Sequence, residues 1–171
     1  ERYVAHLRAS GETGRALKYR KDVKAARLAK LYAEGPSTAQ FSIGMRYRQG
    51  IGEPRNDTVA AKWLKRAARH GHGEAKVELA KMFAKGEGVD KDHRAAKKLY
   101  YEAAKLGLKS ARDVILADAN AGRVWAQLSL GTLYELGRGV AKNLKEAKKW
   151  YILAAKNGNQ LAKERLKKLR N

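Results

Sequence analysis

The chain has 171 residues, near the usual size of one domain, and 44% of them are hydrophobic with only two prolines. The lack of cysteine excludes disulfides, thiolate metal ligands and cysteine nucleophiles. The 38 Lys and Arg against 17 Asp and Glu give a net charge of +21, which attracts acidic partners through forces that salt weakens. This composition indicates an ordered, basic, helical protein.

The first predicted element is an N-terminal cap over residues 1–38. Residues 1–10 and 15–34 have helical spacing, and the second segment carries Leu28, Tyr32 and Gly35 in the manner of a degenerate repeat helix. The chain begins at Glu1 without a methionine, and the interpretation is that an N-terminal segment was removed, so that a periplasmic or secreted location is slightly favoured over a cytoplasmic one.

A unit of 36 residues then recurs three times. The copies are named repeat 1 (39–74), repeat 2 (75–110) and repeat 3 (126–161). Apolar and small residues at helical spacing predict a first helix, helix A, followed by a turn with two glycines and by a second helix, helix B. A phosphate-binding loop should be singular and this turn recurs, so it is interpreted as structural.

Polar and glycine residues mark the boundaries of these helices. Helix A is predicted to end at the first glycine of each turn, because a residue without Cβ accepts the left-handed conformation that closes a helix. Asn56, Asp92 and Asn143 are predicted to cap helix B, and Asn143 with Glu146 resembles a capping box. Alanines and one large residue form the apolar face of helix B, so Trp63 and Trp150 are predicted to be buried between helix layers.

The regular spacing breaks once, between repeats 2 and 3. Residues 111–125 match helix B by spacing and are predicted to be an inserted half repeat that interrupts the regular curvature. Residues 162–171 are predicted to form a C-terminal capping helix.

The unit resembles the Sel1-like repeat family, a relative of the tetratricopeptide repeat. The resemblance is carried by the Leu/Ile-Gly-x-x-Tyr core of helix A, the Gly-x-Gly turn, the Ala-x-x-Trp-Tyr run at 147–151 and the paired alanines before a final glycine. Ala80, Phe83, Leu99 and Glu53 depart from that pattern. The resemblance implies an all-α fold, a right-handed α/α superhelix of helix-turn-helix repeats with the A helices on its concave wall. It also implies a bacterial adaptor, regulator or inhibitor without catalysis.

No set of residues predicts an active site, a cofactor or a metal centre. His70 and His72 lie at one turn between repeats, and two ligands there favour a solvated connector over a metal site. Asp90 and Asp92 lack the other oxygen ligands of a calcium loop. The sequence therefore predicts a protein that is not an enzyme.

The predicted partner is another protein with an acidic surface or segment. The off-core positions of helix A are expected to line the concave wall and contact it: Met45, Arg46, Arg48, Gln49, Lys81, Lys85, Thr132, Glu135 and Leu136. The cations of helix B are expected on the convex face: Lys62, Lys65, Arg66, Lys97, Lys98, Lys148 and Lys149. Two alternatives stay open, an immunity or inhibitor protein that neutralises an acidic effector, and a non-specific binder of nucleic acid or anionic surfaces.

Overall fold

The structure is a computed structural model that describes residues 36–169 and Lys18. The predicted cap over residues 1–38, with its two helices, lies almost entirely outside the described residues and stays a prediction. Within 36–169 the regular secondary structure is entirely α-helical, which confirms the predicted fold class. The helices are α1 (Ser37–Gln49), α2 (Asp57–Arg69), α3 (Gly73–Lys85), α4 (His93–Lys105), α5 (Lys109–Asn120), α6 (Val124–Leu136), α7 (Leu144–Lys156) and α8 (Gln160–Lys168).

Each repeat consists of two helices of 13 residues joined by the predicted turn. Helices α1, α3 and α6 are the A helices of repeats 1, 2 and 3, and each ends at a glycine with φ between 65° and 80°. The side chains of Asn56, Asp92 and Asn143 accept hydrogen bonds from backbone N–H groups at the starts of α2, α4 and α7, which confirms the three caps. The Glu146 carboxylate pairs with Lys149, so only the Asn143 half of the capping box forms.

The core lies between the two helices of each repeat and between successive repeats. Most alanines of helix B are almost completely buried, so the helix backbones approach closely. Trp63 is buried as predicted, with 5% of its surface exposed. The prediction for Trp150 is wrong, because this side chain is only partly buried and the fully buried Tyr151 beside it fills the space against Gly131.

Helix α5 is the single helix inserted between repeats 2 and 3. The backbone of Leu108 before α5 has φ −67° and ψ 113°, which matches that of His72 before the A helix α3. Ala111 and Ile115 follow the buried Ala75 and Leu79 at the repeat period and are themselves fully buried. The C-terminus of α5 is followed by Gly122 with a positive φ, as the C-termini of the B helices are followed by a glycine with a positive φ. The predicted match to helix B therefore holds for the C-terminal end of α5 only.

The single inserted helix gives every later helix the opposite direction from the one it would have in an array of complete two-helix repeats. The A-to-B turn of repeat 2 packs on the start of α2, where a Cβ at Gly88 would overlap the carbonyl of Asp57. In repeat 3 the same turn packs on the end of α4, where a Cβ at Gly139 would overlap the carbonyl of Ala104. Arg112 of α5 also donates a hydrogen bond of 3.1 Å to the Gly139 carbonyl. The turn of repeat 3 therefore lies at the opposite end of the array from the turns of repeats 1 and 2.

The same insertion exchanges the two layers of the solenoid. Contacts between helices two apart in the chain join α1 to α3 through Arg48 and Glu78, and α6 to α8 through Glu135 and Arg165. Lys97 of α4 lies over a ring of α6, so α6 lies beside α4. Consecutive helices thus alternate between an odd layer (α1, α3, α5, α7) and an even layer (α2, α4, α6, α8). The A helices of repeats 1 and 2 lie in the odd layer, and that of repeat 3 lies in the even layer.

Candidate protein-binding surfaces

The predicted contact residues of repeats 1 and 2 lie in the odd layer and come together in one charged cluster. The Arg48 guanidinium bonds the Glu87 carboxylate at 2.9 Å and lies 3.7 Å from the Glu78 carboxylate. Lys81 pairs with Glu78 at 2.6 Å, and Lys85 lies 3.5 Å from Glu87. Two carboxylates thus offset much of the charge of the three predicted cations.

Three further predicted residues accompany this cluster on α1. Arg46 is exposed and donates a hydrogen bond to the Ile51 carbonyl of its own turn. Gln49 is exposed, whereas Met45 is partly buried against the core of repeats 1 and 2. This part of the odd layer therefore presents a mixture of polar and paired charged groups.

The three predicted residues of repeat 3 lie in the even layer. The hydroxyl of Tyr151 on α7 donates to the Glu135 carboxylate and lies 3.2 Å from the hydroxyl of Thr132. Arg165 on α8 donates to the other Glu135 oxygen at 3.3 Å. Leu136 is 44% exposed. The layer exchange separates these residues from the other six, so the nine do not form one continuous wall.

Burial and hydrogen bonding act together on Tyr151. Loss of solvent at this side chain, together with its hydrogen bond to Glu135, raises the pKa of the phenol above its ordinary value. The phenol therefore remains a hydrogen-bond donor to Glu135 and links α6 to α7 over the biological pH range.

Helices α2 and α4 of the even layer carry positive charge that no described carboxylate pairs with. We define the basic surface by the exposed cations Lys62, Lys65, Arg69, Arg94 and Lys98. The described structure gives these five no ion pair. The only carboxylates on these two helices are engaged elsewhere, Asp57 with Arg55 at 2.7 Å and Glu102 with Lys76.

A cavity of about 360 Å³ opens on the α2 part of the basic surface. Its lining consists of Lys62, Lys65, Arg66, Arg69 and His70, so among the described residues every side chain around it is basic. The Nδ1 atom of His70 lies 3.0 Å from the amide oxygen of the buried Gln40, which orients the imidazole. The cavity offers hydrogen-bond donors and positive charge to an anionic group. The sequence predicted Lys62, Lys65 and Arg66 as residues of the convex face. It did not predict Arg69 and His70 as part of a site, although Arg69 lies at helical spacing from Lys62 and Lys65.

His72 is not the solvated connector that the sequence suggests. Its ring accepts a hydrogen bond from the Ala75 N–H at the start of α3 and stacks on Phe41 with ring centroids 4.5 Å apart. The ring is therefore a helix cap and a packing element. No group of three or more His, Cys, Asp or Glu side chains in residues 36–169 is placed to hold a metal ion. Across the same residues, no helix has the length and apolar character to cross a membrane.

Comparison with known proteins identifies the repeated unit. The Sel1 repeat model matches residues 37–72, 73–108 and 126–159, and the unmatched residues 109–125 contain the whole of α5. The chain is 33% identical over 138 residues to chitin synthase regulatory factor 3 of Schizosaccharomyces pombe, covering 77% of this chain and 13% of that protein. It is 38% identical over 112 residues to DAP3-binding cell death enhancer 1 of Mus musculus, covering 66% of this chain and 19% of that protein. The chain thus spans less than a fifth of the length of these relatives.

Two solved structures are similar over most of the chain. A Sel1 repeat protein from Oxalobacter formigenes is 28% identical with a TM-score of 0.48, and the match covers 83% of this chain and 47% of that one. A protective antigen present in uropathogenic Escherichia coli strains, displaying an SLR fold, is 27% identical with a TM-score of 0.49, over 81% of this chain and 34% of that one.

Proposed function

Because this chain belongs to the Sel1 repeat family, we propose that it is a non-enzymatic scaffold that binds an acidic protein partner through the basic surface. Sel1 repeat proteins are generally protein–protein interaction scaffolds and are typically not catalytic. The name of the mouse relative describes a protein that binds another protein, DAP3. The chemistry of the partner and the surface it uses are the parts that we propose.

The difference in charge pairing between the A-helix cluster and the basic surface carries this proposal. The A-helix cations Arg48, Lys81 and Lys85 already face Glu78 and Glu87 within the chain. The cations of the basic surface have no such partner among the described residues, so their field acts on the surroundings. An acidic segment would gain charge complementarity there without first displacing an internal ion pair.

The proposed partner is a protein because the surface lacks the features of a nucleic-acid site. The aromatic side chains of α2 and α4 are buried or partly buried in the core and do not form an exposed platform for stacked bases. Cations without such a platform bind phosphates through charge alone. An inhibitor that neutralises an acidic effector would use the same surface, and the test below does not depend on which of the two roles applies.

Charge reversal on each layer tests the proposed surface. The probe is a fluorescent oligoglutamate peptide, with a single-stranded oligonucleotide of equal charge as the comparison. Changing Lys62, Lys65 and Lys98 to Glu should weaken peptide binding at low salt by at least about 10-fold. The control changes Lys142, Lys145 and Lys156, near or on α7, to Glu, because it alters the net charge by the same amount on other exposed residues.

The control should retain most of the affinity. Equal losses in the two triple variants would show that net charge alone attracts the peptide and would overturn the assignment of the surface. Changing Arg48, Lys81 and Lys85 to Gln tests the A-helix cluster, and a larger loss in that variant would move the site there. Clearly tighter binding of the oligonucleotide would favour the nucleic-acid alternative.

A further inference from the structure

The layer exchange creates a contact between helices that the other repeats do not have. Helix α4 is a B helix and α6 is an A helix, and they lie side by side in the even layer because α5 stands between them in the chain. We call the contact region between them the α4–α6 seam and define it by Lys97, Tyr101 and Lys105 on α4 and Trp125 on α6. Lys97 near the start of α4 lies over Trp125 at the start of α6, and the turn after α6 packs on the end of α4, so the two helices run in the same direction.

The seam holds cations over aromatic rings. The Lys97 ammonium lies 5.6 Å from the ring centroid of Trp125, and the Lys105 ammonium lies 5.6 Å from that of Tyr101. These distances are near the outer limit of a cation–π contact, so they restrain the lysines weakly. Burial raises the pKa of the Tyr101 phenol, so this ring is neutral and does not neutralise Lys105.

No carboxylate of the two helices is available to these lysines. Glu102, the one acid on α4, pairs with Lys76 of α3. Glu135, the one acid on α6, bonds Tyr151 and Arg165. The contacts between α1 and α3 and between α6 and α8 each contain an Arg–Glu pair, whereas the seam has cations without counter-ions among the described residues.

Trp125 provides a second, independent observation at the seam, a buried hydrogen-bond donor without an acceptor among the described residues. Its indole Nε1 is buried and has no hydrogen-bond acceptor within the described structure. A buried donor without an acceptor is costly, and each such group in a folded protein needs an explanation. Lys97 lies over this ring on a flexible four-carbon stem.

We propose that the α4–α6 seam binds an acidic helix of the protein partner, with carboxylates at Lys97 and Lys105 and an oxygen acceptor at the Trp125 N–H. Lys97 and Lys105 are eight residues apart on α4, and a helix lying along α4 repeats its own side chains at the same rise of about 1.5 Å per residue. Glutamates eight residues apart on that helix therefore match the two lysines. This inference rests on the proposed function and deepens it, because the seam borders the basic surface.

Two helical peptides and the indole signals of the protein test the seam. Both peptides are alanine-rich with the same number of glutamates, which are eight residues apart in the spaced peptide and adjacent in the clustered peptide. The 15N-labelled protein gives one indole N–H signal for each of its three tryptophans, and Trp125→Phe identifies that of Trp125 by its loss. Addition of the spaced peptide should shift the Trp125 signal and leave that of the buried Trp63 unchanged.

Variants then measure the contribution of each group. Trp125→Phe keeps a ring and removes the donor, and it should weaken the spaced peptide by about 2- to 10-fold while the melting temperature stays close to wild type. Lys97→Gln and Lys105→Gln should each cost about 2- to 5-fold, and the control Lys145→Gln should cost less. The preference for the spaced peptide should disappear in the Lys97→Gln/Lys105→Gln double variant.

Two results would contradict the proposed binding at the α4–α6 seam, and they have different consequences for the proposed function of the basic surface. If both peptides bind equally and only signals from α2 and the outer side of α4 shift, the seam is not the site and the proposed function stands. If neither peptide binds at low salt, and the oligoglutamate probe does not bind either, both proposals fail together.

Discussion

Arg48 of α1 reaches Glu78 of α3, where its guanidinium lies 3.7 Å from the carboxylate and donates a hydrogen bond to the backbone carbonyl. The equivalent positions of repeat 3 hold Glu135 on α6 and Arg165 on α8, which are also paired. The two pairs join successive A-type helices at the same place with the charges exchanged. Both orientations of an Arg–Glu pair therefore occur at this place in the array.

This exchange predicts the outcome of a charge swap in repeats 1 and 2. Arg48→Glu should lower the free energy of unfolding by about 1–3 kcal/mol, because it places a carboxylate beside Glu78 and Glu87 in a partly buried site. The double variant Arg48→Glu/Glu78→Arg should recover about 1 kcal/mol of that loss by restoring the pair in the sense of repeat 3. Urea unfolding of the wild type, both single variants and the double variant measures this coupling. Additive effects would contradict it.

Gly131 lies where Tyr151 meets α6. A Cβ at this position would be 2.5 Å from two ring carbons of Tyr151, and a ring enclosed between layers moves only by displacing its neighbours. Gly131→Ala should therefore cost about 1–3 kcal/mol of stability. The matched variant Gly44→Ala faces Leu64 at 2.9 Å, and a leucine adjusts more readily than an enclosed ring, so its loss should be smaller. Thermal melting of the two variants compares them, and the reverse order would contradict this explanation.

Tyr151 should make the stability fall at alkaline pH. Its pKa is raised in the folded state, whereas the unfolded phenol titrates near an ordinary pKa of about 10. Above pH ~10 the unfolded chain releases a proton that the folded chain keeps, so the free energy of unfolding decreases as the pH rises, and the contribution is complete below that pH.

Tyr151→Phe should remove this part of the alkaline slope and cost about 0.5–1.5 kcal/mol near neutral pH through the lost hydrogen bonds. Tyr134→Phe on α6 is the control, because its hydroxyl has no hydrogen bond among the described residues. Urea unfolding at neutral and alkaline pH separates the two effects. An unchanged alkaline slope in Tyr151→Phe would contradict the assignment.

The two tryptophans of the B helices should respond differently to truncation. Trp63→Ala should cost about 3–5 kcal/mol because the side chain is buried. Trp150→Ala should cost clearly less, since this ring is only partly buried at the edge of the core. Urea unfolding measures both, and equal losses would show that Trp150 is an interlayer residue after all.

Removal of residues 109–123 should restore the regular order of layers. The backbone at Leu108 closely matches that at Arg123, so α6 can begin directly after α4. The A helix α6 would then lie beside α3, as α3 lies beside α1. Ala84 and Ser129 are the equivalents of Arg48 and Glu78, so cysteines at these two positions should be joined by a short bifunctional maleimide in the deletion variant. The full-length chain with the same cysteines should not be joined, and equal joining in both would contradict the layer exchange.

The repeats, their boundaries and their caps could be predicted because each depends on local chemistry. The asparagine and aspartate caps and the glycine ends act within a few residues of their own position. The inserted helix could also be predicted, since it breaks a period. The exchange of layers was missed, although an odd number of helices between repeats 2 and 3 carries that information.

The partner surface was harder to predict for a physical reason. The positions of Lys81 and Lys85 identify a helix face, but their charges are offset by Glu78 and Glu87, and Arg48 reaches both from a neighbouring helix. Such compensation depends on contacts between repeats, which a single-helix pattern does not contain. Trp150 was placed in the core for a similar reason, because the adjacent Tyr151 fits the same pattern one residue later.

Helix α5 shows that the effect of an insertion in a protein of this kind depends on whether the number of inserted helices is even or odd. Duplication of a two-helix unit lengthens the array and leaves every older face where it was. Gain or loss of one helix of 12 residues moves every later helix to the other layer, so residues selected to face one ligand come to face the opposite side. A short insertion or deletion at one turn can thus create a molecule with two recognition faces in a single genetic step, without any change in the residues that form them.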